Sequence, residues 1–325
     1  MLATLPVRDE ASLTRPQGYA IAILIPCYNE EAAIGKVVAN FRRYLPDAAI
    51  LVYDNNSADR TRQIARAAGA RVRSERMQGK GHVVRRMFAD IEADIYVLVD
   101  GDDTYDAAVA PLMVRLLIED QLDMVTGVRD PAQQNAYRLG HQIGNRLMTL
   151  LVRTAFGNRI GDVLSGYRVF SRRFVKSFPA LSCGFEIETE FTIHALELNM
   201  PIGEVTTAYS GRIPGSLSKL HTVCDGLRIL RTIMMLVKQE RPVQSFGLTG
   251  AALMAIALTL GLPVVFEFLR TSMVPRLPTA LLATAFGLAS SMSFVCGLVL
   301  EQVARGRKEM KRLAYLAIPA IGDST

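Results

Sequence analysis

Val97-Leu98-Val99-Asp100-Gly101-Asp102-Asp103-Thr104 is the stretch that decides the fold prediction. Its apolar first part is typical of the end of a buried strand, and a cluster of carboxylates follows at once. A strand that ends in Asp-x-Asp places two carboxylates at the carboxyl edge of a sheet, where open α/β folds bind their ligands. Paired carboxylate oxygens suit Mg²⁺ or Mn²⁺ better than zinc, and such a metal would bridge the phosphates of a nucleotide. A solvated acidic turn is the commoner explanation of a lone Asp-x-Asp, so the rest of the chain has to support the metal site.

Around this stretch, apolar runs with strand character alternate with segments of helical periodicity. Strands are predicted at 20–25, 50–53, 95–99, 124–128 and 202–209, and residues 69–72 lead into a further short strand. Helices are predicted at 30–45, 57–68 with Ser57 as N-cap, 106–119 and 138–156. Residues 79–91 are predicted to form a loop and then a helix, and residues 184–198 to contain another helix. The alternation predicts an α/β fold with a Rossmann-like, mostly parallel sheet and helices on both faces.

The composition points to a membrane rather than to nucleic acid. The chain has 325 residues, with 37 Lys or Arg against 31 Asp or Glu, which gives a formal charge of +6. The mean hydropathy of +0.21 is high for a soluble protein, and the excess lies near the C-terminus. A basic charge fits nucleic acid or an anionic membrane, and the apolar C-terminus favours the membrane.

The cysteines and the N-terminus bear on the compartment. The cysteines lie far apart and form neither a zinc nor a disulfide pattern, so reduced thiols facing the cytosol are expected at Cys27, Cys183, Cys224 and Cys296. Residues 1–17 have no apolar core of signal-peptide type. We therefore expect the first domain to stay on the side of the membrane where it is made.

Two uncharged apolar segments follow in the last third of the chain. Residues 246–266 and 277–300 number 21 and 24, against the roughly 20 that a membrane-spanning helix needs. The short link between them predicts a hairpin. Residues 222–241 have the pattern of a basic amphipathic helix at a membrane surface, although an ordinary docked helix has the same pattern. Basic residues also follow the second segment, so the positive-inside rule places both flanks in the cytoplasm: Arg305, Arg307, Lys308, Lys311 and Arg312.

Three further polar motifs follow predicted strands or open a helix: Pro26-Cys27-Tyr28-Asn29-Glu30-Glu31, Asp54-Asn55-Asn56-Ser57 and Gly79-Lys80-Gly81. A strand-end carboxylate such as Asp54 can accept hydrogen bonds from a base or a ribose. Lys80, between two glycines, can approach a phosphate closely. Each motif alone is as well explained by turn and cap chemistry. Together with the acidic stretch they indicate a nucleotide cradle.

These motifs, with Asp100-Gly101-Asp102, resemble the family 2 glycosyltransferases of GT-A fold. Further motifs resemble the polyprenyl-phosphate branch, typified by dolichyl-phosphate mannose synthase: Ser165-Gly166-Tyr167-Arg168, Glu186-Ile187-Glu188-Thr189-Glu190, Arg212 and Ser218-Lys219-Leu220. The resemblance covers about residues 20 to 220, and bacterial members carry a similar terminal hairpin. It implies the following segments: an N-terminal tail at 1–19, a GT-A domain at 20–221, a juxtamembrane amphipathic region at 222–243, a hairpin at 244–300 and a basic cytoplasmic tail at 301–325.

The resemblance assigns site residues one by one. The nucleotide-sugar site would comprise Pro26, Tyr28, Glu30, Asp54, Lys80, Asp100, Gly101, Asp102 and Glu188. The metal, Mg²⁺ or Mn²⁺, would lie at Asp100, Asp102 and Thr104. Thr104 stands where the mannose synthases typically have Gln, with Asp103 beside it, so which of the two contacts the metal stays open. Asp-Asn-Asn-Ser stands where many relatives have Asp-Asp-Gly-Ser, which leaves the base preference open.

Basic residues between the acidic motif and the apolar segments are candidates for an acceptor phosphate, because arginine forks match phosphate oxygens. By the resemblance, the phosphate site would comprise Arg129, Arg138, Arg212, Ser218 and Lys219. The catalytic set would comprise Asp100, Asp102, Arg129, Arg212 and Lys219. Any one of the cations could instead form a surface ion pair, and Arg168 could brace Asp162 or the acidic helix. A phosphate dianion needs no general base, because it is already a nucleophile. This would explain why no histidine stands beside the acidic motif in the sequence.

The leading hypothesis is transfer of one sugar from a nucleotide-sugar, UDP-linked rather than GDP-mannose, to an undecaprenyl-type polyprenyl phosphate. The resemblance implies inversion, a role in cell-envelope glycans and a multi-pass protein of the cytoplasmic membrane, in contact with membrane lipid. A processive polysaccharide synthase is an alternative, but its Gln-x-x-Arg-Trp motif is missing and the chain has no Trp. A membrane scaffold with a degenerate domain is a second alternative. Small residues such as Gly250 and Gly287 make a homo-oligomer possible.

Overall fold

The computed structural model describes residues 18–130, 149, 161–213 and 242–322. The chain divides into two compact units. The first comprises Met1–Ile233 together with Lys311–Thr325, and the second comprises Met234–Met310. The predicted helices at 138–156 and 222–241 lie outside the described residues.

The first unit is built on a mixed sheet that is mostly parallel. Its strands are β1 (Ile21–Cys27), β2 (Ala49–Asp54), β3 (Arg71–Ser74), β4 (Ile95–Leu98), β5 (Met124–Arg129), β6 (Arg168–Ser171) and β7 (Ile202–Thr207). Among the described residues the strand order is β3-β2-β1-β4-β6-β5-β7. Of these described strands, only β6 runs antiparallel to its neighbours, β4 and β5. The predicted fold class is confirmed.

The sequence patterns do not predict β6. Its four residues are all buried, but the strand is short and begins with the charged Arg168. Because β6 is antiparallel, its start lies at the sheet edge where the parallel strands end. Residues 165–167 therefore reach the same edge as the acidic motif, although they precede a strand.

Helices cover the sheet. In the first unit they are α1 (Ile34–Tyr44), α2 (Thr61–Ala67), α3 (Lys80–Asp90), α4 (Ala110–Glu119), α5 (Arg172–Ser177) and α6 (Ile187–Glu197). The face of α1 that the periodicity predicted is buried. The prediction that Ser57 caps α2 is wrong. The Ser57 hydroxyl accepts a hydrogen bond from the Asn29 N–H at 2.9 Å, and Asp59 Oδ1 accepts one from the Thr61 N–H instead.

The core of this unit has an aromatic cluster beside α6. Phe170 stacks on Phe174 with ring centroids 4.6 Å apart, and Phe191 of α6 lies 4.9 Å from Phe170. All eleven residues of α6 are buried, including its three glutamates. A helix buried on all sides needs a specific partner for each of its charges.

The second unit contains two long apolar helices, α7 (Pro242–Thr271) and α8 (Leu277–Leu316), the second of which continues into the first unit. Their most apolar windows have mean hydropathies of 2.1 and 1.7 and are only 11% and 17% buried. Both helices are long and apolar enough to cross a membrane, as predicted. They contact each other through small side chains: the Ser290 hydroxyl donates to the Gly250 carbonyl at 2.7 Å.

Candidate active site

The strand ends bring the sequence motifs together at one edge of the sheet. Strands β1, β2 and β4 are parallel neighbours, and Cys27 lies opposite Asp54 in the register of β1 and β2. The segments that follow them, which carry Glu30, Asp54 and Asp100, therefore meet at the carboxyl edge. This edge is the expected ligand site of an open α/β sheet.

Hydrogen bonds lock the loops after β1 and β2 to one another. The Glu30 N–H donates to the Thr61 hydroxyl at 2.8 Å, and Glu30 is 6% exposed. Tyr28, in the same loop, is 39% exposed and lines the surface of this edge. Pro26, near the end of β1, is half-buried.

Asn55 has a scaffolding role that sequence reasoning missed. Its amide donates to the carbonyls of Glu75 and Met77 at 3.0 and 2.8 Å, and its oxygen accepts from the Gly79 N–H at 2.8 Å. The side chain thereby holds the loop that leads to Lys80. The unusual Asp-Asn-Asn-Ser turn was the only sequence signal for this role.

Asp54 is fully buried, and one of its two carboxylate oxygens has no hydrogen-bond partner among the described residues. Its Oδ2 accepts a hydrogen bond from the Ser57 N–H at 3.2 Å and lies 3.5 Å from the Arg62 Nε. Its Oδ1 is buried and has no hydrogen-bond partner among the described residues. An unsatisfied buried acceptor of this kind fits a donor group on a bound base or ribose.

Two glycines let the acidic motif approach its neighbours. A Cβ on Gly101 would lie 2.5 Å from the Cys27 sulfur, and a Cβ on Gly166 would collide with the Asp100 carboxylate. The Gly166 N–H donates to the Tyr105 hydroxyl at 2.9 Å, which fixes this contact. Gly166 belongs to the Ser-Gly-Tyr-Arg motif, and its role at Asp100 depends on the antiparallel β6.

Lys80 joins two carboxylates that are far apart in sequence. Its Nζ lies 2.5 Å from Asp100 Oδ1 and 2.5 Å from Glu188 Oε1. Burial by itself would lower the pKa of Lys80, but the two carboxylates outweigh burial and raise that pKa. The pKa of Glu188 is raised, chiefly by burial and in part by Asp100, against the opposing effect of Lys80. Glu188 Oε2 is buried with no hydrogen-bond partner in the described part of the chain.

Asp102 forms an ion pair with Arg212. Arg212 Nη2 lies 2.7 Å from Asp102 Oδ2, and Arg212 Nη1 lies 3.8 Å from Glu30 Oε1. Burial, followed by the charge of Asp100, raises the pKa of Asp102, and Arg212 opposes the increase. The hydroxyl of the buried Thr104 donates to Asp102 Oδ1 at 2.6 Å, so Thr104 orients the Asp102 carboxylate. Asp103 points to Lys36 of α1, at 2.6 Å.

The acidic motif fits a divalent cation. Asp100 and Asp102 supply hard oxygen ligands, and each is already neutralised by a cationic side chain, Lys80 or Arg212. Within the described ranges, no group of three His, Cys, Asp or Glu side chains surrounds a single point. Two protein carboxylates, with the remaining ligands from phosphate oxygens and water, is the usual coordination of Mg²⁺ in nucleotide sites.

The predicted phosphate-binding cations have different surroundings. Arg129 at the end of β5 forms a two-point ion pair with Asp162 at 2.7 and 2.8 Å, and its guanidinium lies 5.6 Å from the ring centroid of Tyr209. Arg168 is fully buried and donates to the Ser165 and Val163 carbonyls and to Thr192 of α6, so it braces the acidic helix. Arg138, Ser218 and Lys219 lie outside the described residues.

Comparisons with known proteins agree with this fold. The family model "Glycosyl transferase family 2" matches residues 22–178. The glycosyltransferase AglJ of Haloferax volcanii is 34% identical over 258 residues, which are 78% of this chain and 84% of the relative. A dolichyl-phosphate hexose transferase of the same organism is 29% identical over 221 residues, 68% of this chain and 95% of the relative. An uncharacterized Shigella flexneri protein is 54% identical over 155 residues, 48% of this chain and 95% of the relative.

Solved structures with the same fold come from glucosyl-3-phosphoglycerate synthase of Mycobacterium tuberculosis. The complex with Mn²⁺ and UDP-glucose has a TM-score of 0.56 and 24% identity, covering 68% of this chain and 79% of that one. The complex with Mg²⁺ and UDP has a TM-score of 0.55 and 22% identity, covering 67% and 79%. At these identities the likeness establishes the shared GT-A fold.

Proposed function

Because the chain belongs to glycosyl transferase family 2, we propose that it transfers one sugar from a nucleotide-sugar to a polyprenyl phosphate, with inversion. One observation carries the proposal. Lys80 and Arg212 converge on Asp100 and Asp102 at the carboxyl edge of the sheet, in a chain that also carries two apolar helices. This arrangement suits a diphosphate leaving group and a lipid-linked acceptor.

The donor would bind along the carboxyl edge. Asp54 Oδ1 would accept a hydrogen bond from the base or ribose, and Glu188 Oε2 would accept one from a sugar hydroxyl, because both buried oxygens lack partners among the described residues. Pro26, Tyr28 and Glu30 would complete the nucleoside side, with the Gly101 backbone close to the sugar diphosphate. A structural neighbour crystallised with UDP-glucose supports a nucleotide-sugar donor, and we propose a UDP-sugar rather than GDP-mannose.

Mg²⁺ or Mn²⁺, held by Asp100 and Asp102, would supply charge neutralisation to the departing diphosphate. The neighbours crystallised with these ions support this cofactor. Thr104 holds Asp102 in place through its hydroxyl. Lys80 lies beside Asp100 and would contribute a further positive charge on the diphosphate side.

The acceptor phosphate would be the nucleophile. One of its oxygens forms a bond to the anomeric carbon, while the bond from that carbon to the diphosphate oxygen breaks and the nucleoside diphosphate leaves. A phosphate monoester is mostly dianionic at neutral pH, so the step needs positioning and charge compensation rather than a general base. Arg212 and Arg129, together with Arg138, Ser218 and Lys219, would hold the phosphate. The dolichyl-phosphate hexose transferase relative supports a lipid-phosphate acceptor.

The helices α7 and α8 would anchor the protein in the cytoplasmic membrane as a hairpin. Contacts inside the first unit support this topology. The Tyr315 hydroxyl, which follows the second apolar segment, donates to Asp123, which precedes the first. Parts of the chain on either side of a hairpin can touch only if they lie on the same side of the membrane. The basic flanks favour the cytoplasmic side.

The test is a glycolipid assay with the full-length protein purified in detergent. It would be incubated with Mn²⁺, undecaprenyl phosphate and a panel of UDP- and GDP-sugars, and the lipid products analysed by mass spectrometry. We expect a monoglycosylated lipid phosphate that disappears in Asp102→Asn and persists in Asp120→Asn, an exposed carboxylate at the end of α4. Nucleotide release without a glycolipid would refute the acceptor. No donor binding across the panel would refute the enzyme and favour the scaffold alternative.

A further inference from the structure

Residues 311–321, the C-terminal segment, belong to the first unit although they follow the apolar helices in sequence. They lie at the sheet edge opposite the candidate active site, next to residues that precede β1, β4 and β5. Ile321 is 9% exposed and joins the hydrophobic core of the sheet. The segment is therefore part of the folded domain that carries the site.

Asp123 is the main anchor of this segment. It is fully buried, and its carboxylate accepts hydrogen bonds from the Ser171 hydroxyl at 2.7 Å, from Arg173 Nε at 2.5 Å and from the Tyr315 hydroxyl at 2.8 Å. The Arg173 guanidinium also lies 4.7 Å from the ring centroid of Tyr315. Tyr315 thus completes the partners of a buried carboxylate at the start of β5.

The same segment holds the far end of α6. Lys311 Nζ lies 2.7 Å from Oε2 of Glu197, the last residue of α6, and the Glu197 side chain is only 4% exposed. Near the other end of the helix, Glu188 pairs with Lys80 in the candidate active site. The two glutamates are separated by about 14 Å along the axis, at 1.5 Å of rise per residue. A cation from a different part of the chain therefore holds each end of this buried helix.

We propose that Lys311 is a positioning residue for the donor site, acting through α6, and that Tyr315, through its hydrogen bond to Asp123, holds the segment from which Lys311 reaches Glu197. Without Lys311 the Glu197 carboxylate would be buried without a cation, and the end of α6 would move toward water to relieve that cost. A short helix packed on all sides moves as a body, so the shift would reach Glu188 and its contact with Lys80. The inference rests on the proposed function, because it assigns Glu188 and Lys80 to the donor.

The experiment compares Lys311→Met and Tyr315→Phe with matched controls in the full-length protein in detergent. Lys308→Met removes the same charge one helical turn earlier, at a lysine with no ion pair in the described part of the chain. Tyr44→Phe removes the hydroxyl of a half-buried tyrosine at the end of α1. We measure UDP affinity, donor and acceptor KM, kcat and amide hydrogen exchange in α6.

In Lys311→Met and Tyr315→Phe we expect the donor KM and the UDP dissociation constant to rise about threefold to thirtyfold. The kcat and the acceptor KM should stay within about twofold of the controls, and α6 should exchange faster. Lys311→Arg should restore the donor KM. A lower melting temperature with donor affinity equal to that of the controls would show a purely structural role and overturn the proposal. If the wild type binds no nucleotide, the proposed function fails, whereas unchanged exchange in α6 overturns the positioning role alone.

Discussion

Removal of the Lys80 ammonium should destabilise the protein far more than removal of a basic side chain from an exposed ion pair. Lys80→Met leaves Glu188, whose side chain is 6% exposed, without a cation. It also removes the positive charge that lies between the Glu188 and Asp100 carboxylates, which then repel each other. Removing one partner of a buried ion pair costs about 3–5 kcal/mol, because the other charge stays buried. For a cooperative unit of this size that loss lowers the melting temperature by about 6–20 °C.

The control is Arg172→Met. Arg172 pairs with Glu92 at 3.4 Å, and the two side chains are 47% and 65% exposed. Solvent screens such a pair, so its loss should cost about 0–1 kcal/mol. The assay is thermal unfolding by far-UV circular dichroism at a fixed scan rate, since the chain has no Trp to report by fluorescence.

A double-mutant cycle tests the cause. Glu188→Gln removes the buried charge that Lys80 neutralises, so Lys80→Met combined with Glu188→Gln should recover most of the stability lost in Lys80→Met. In Lys80→Met the folded Glu188 keeps its proton to higher pH than the unfolded chain does. The folded state then binds more protons, and stability falls as the pH rises above the ordinary pKa of glutamate. Strict additivity of the two substitutions, or a loss equal to that of Arg172→Met, would refute the buried-pair reasoning.

Three further outcomes are expected. Gly101→Ala should lower donor affinity because its methyl group would meet the Cys27 sulfur, and Cys27→Ala in the same protein should restore part of it, as measured by UDP titration. His194 is buried, and its pKa is lowered to about 3, chiefly by burial. Below pH 6.5 the unfolded histidine takes up a proton that the folded one does not, so the free energy of unfolding should fall by up to about 1.4 kcal/mol per pH unit. His194→Gln should flatten this slope in denaturant titrations. Arg168→Met should cost about 3 kcal/mol or more, because it leaves the carbonyls that Arg168 serves without donors in the core. Unfolding curves of this variant equal to those of Arg172→Met, an exposed neighbour, would contradict the bracing role.

Several features of the site were predictable because they follow from local sequence. The strands β1, β2 and β4 are short apolar runs, and the parallel arrangement puts whatever follows them at one edge. The sequence therefore predicts that Asp54, Lys80 and Asp100 lie at one edge of the sheet. The same holds for α7 and α8, where length and hydropathy are local properties. The partners of these residues were not predictable, since Lys80 and Glu188 come from helices far apart in sequence.

The sequence by itself determined the class of sheet, the acidic strand end, the apolar helices and, through its motifs, the family. Hydrophobic periodicity encodes which face of an element is buried, and that information lies within some ten residues. Only the tertiary structure decided that β6 runs antiparallel, that Gly166 abuts Asp100 and that Arg212 pairs with Asp102. It alone decided that Tyr315 reaches Asp123 across 192 residues. The physical reason is that a buried charge needs an opposite charge or a hydrogen-bond partner, and the chain topology determines which residue lies within reach. That residue can be far away in sequence, so a local pattern does not predict it.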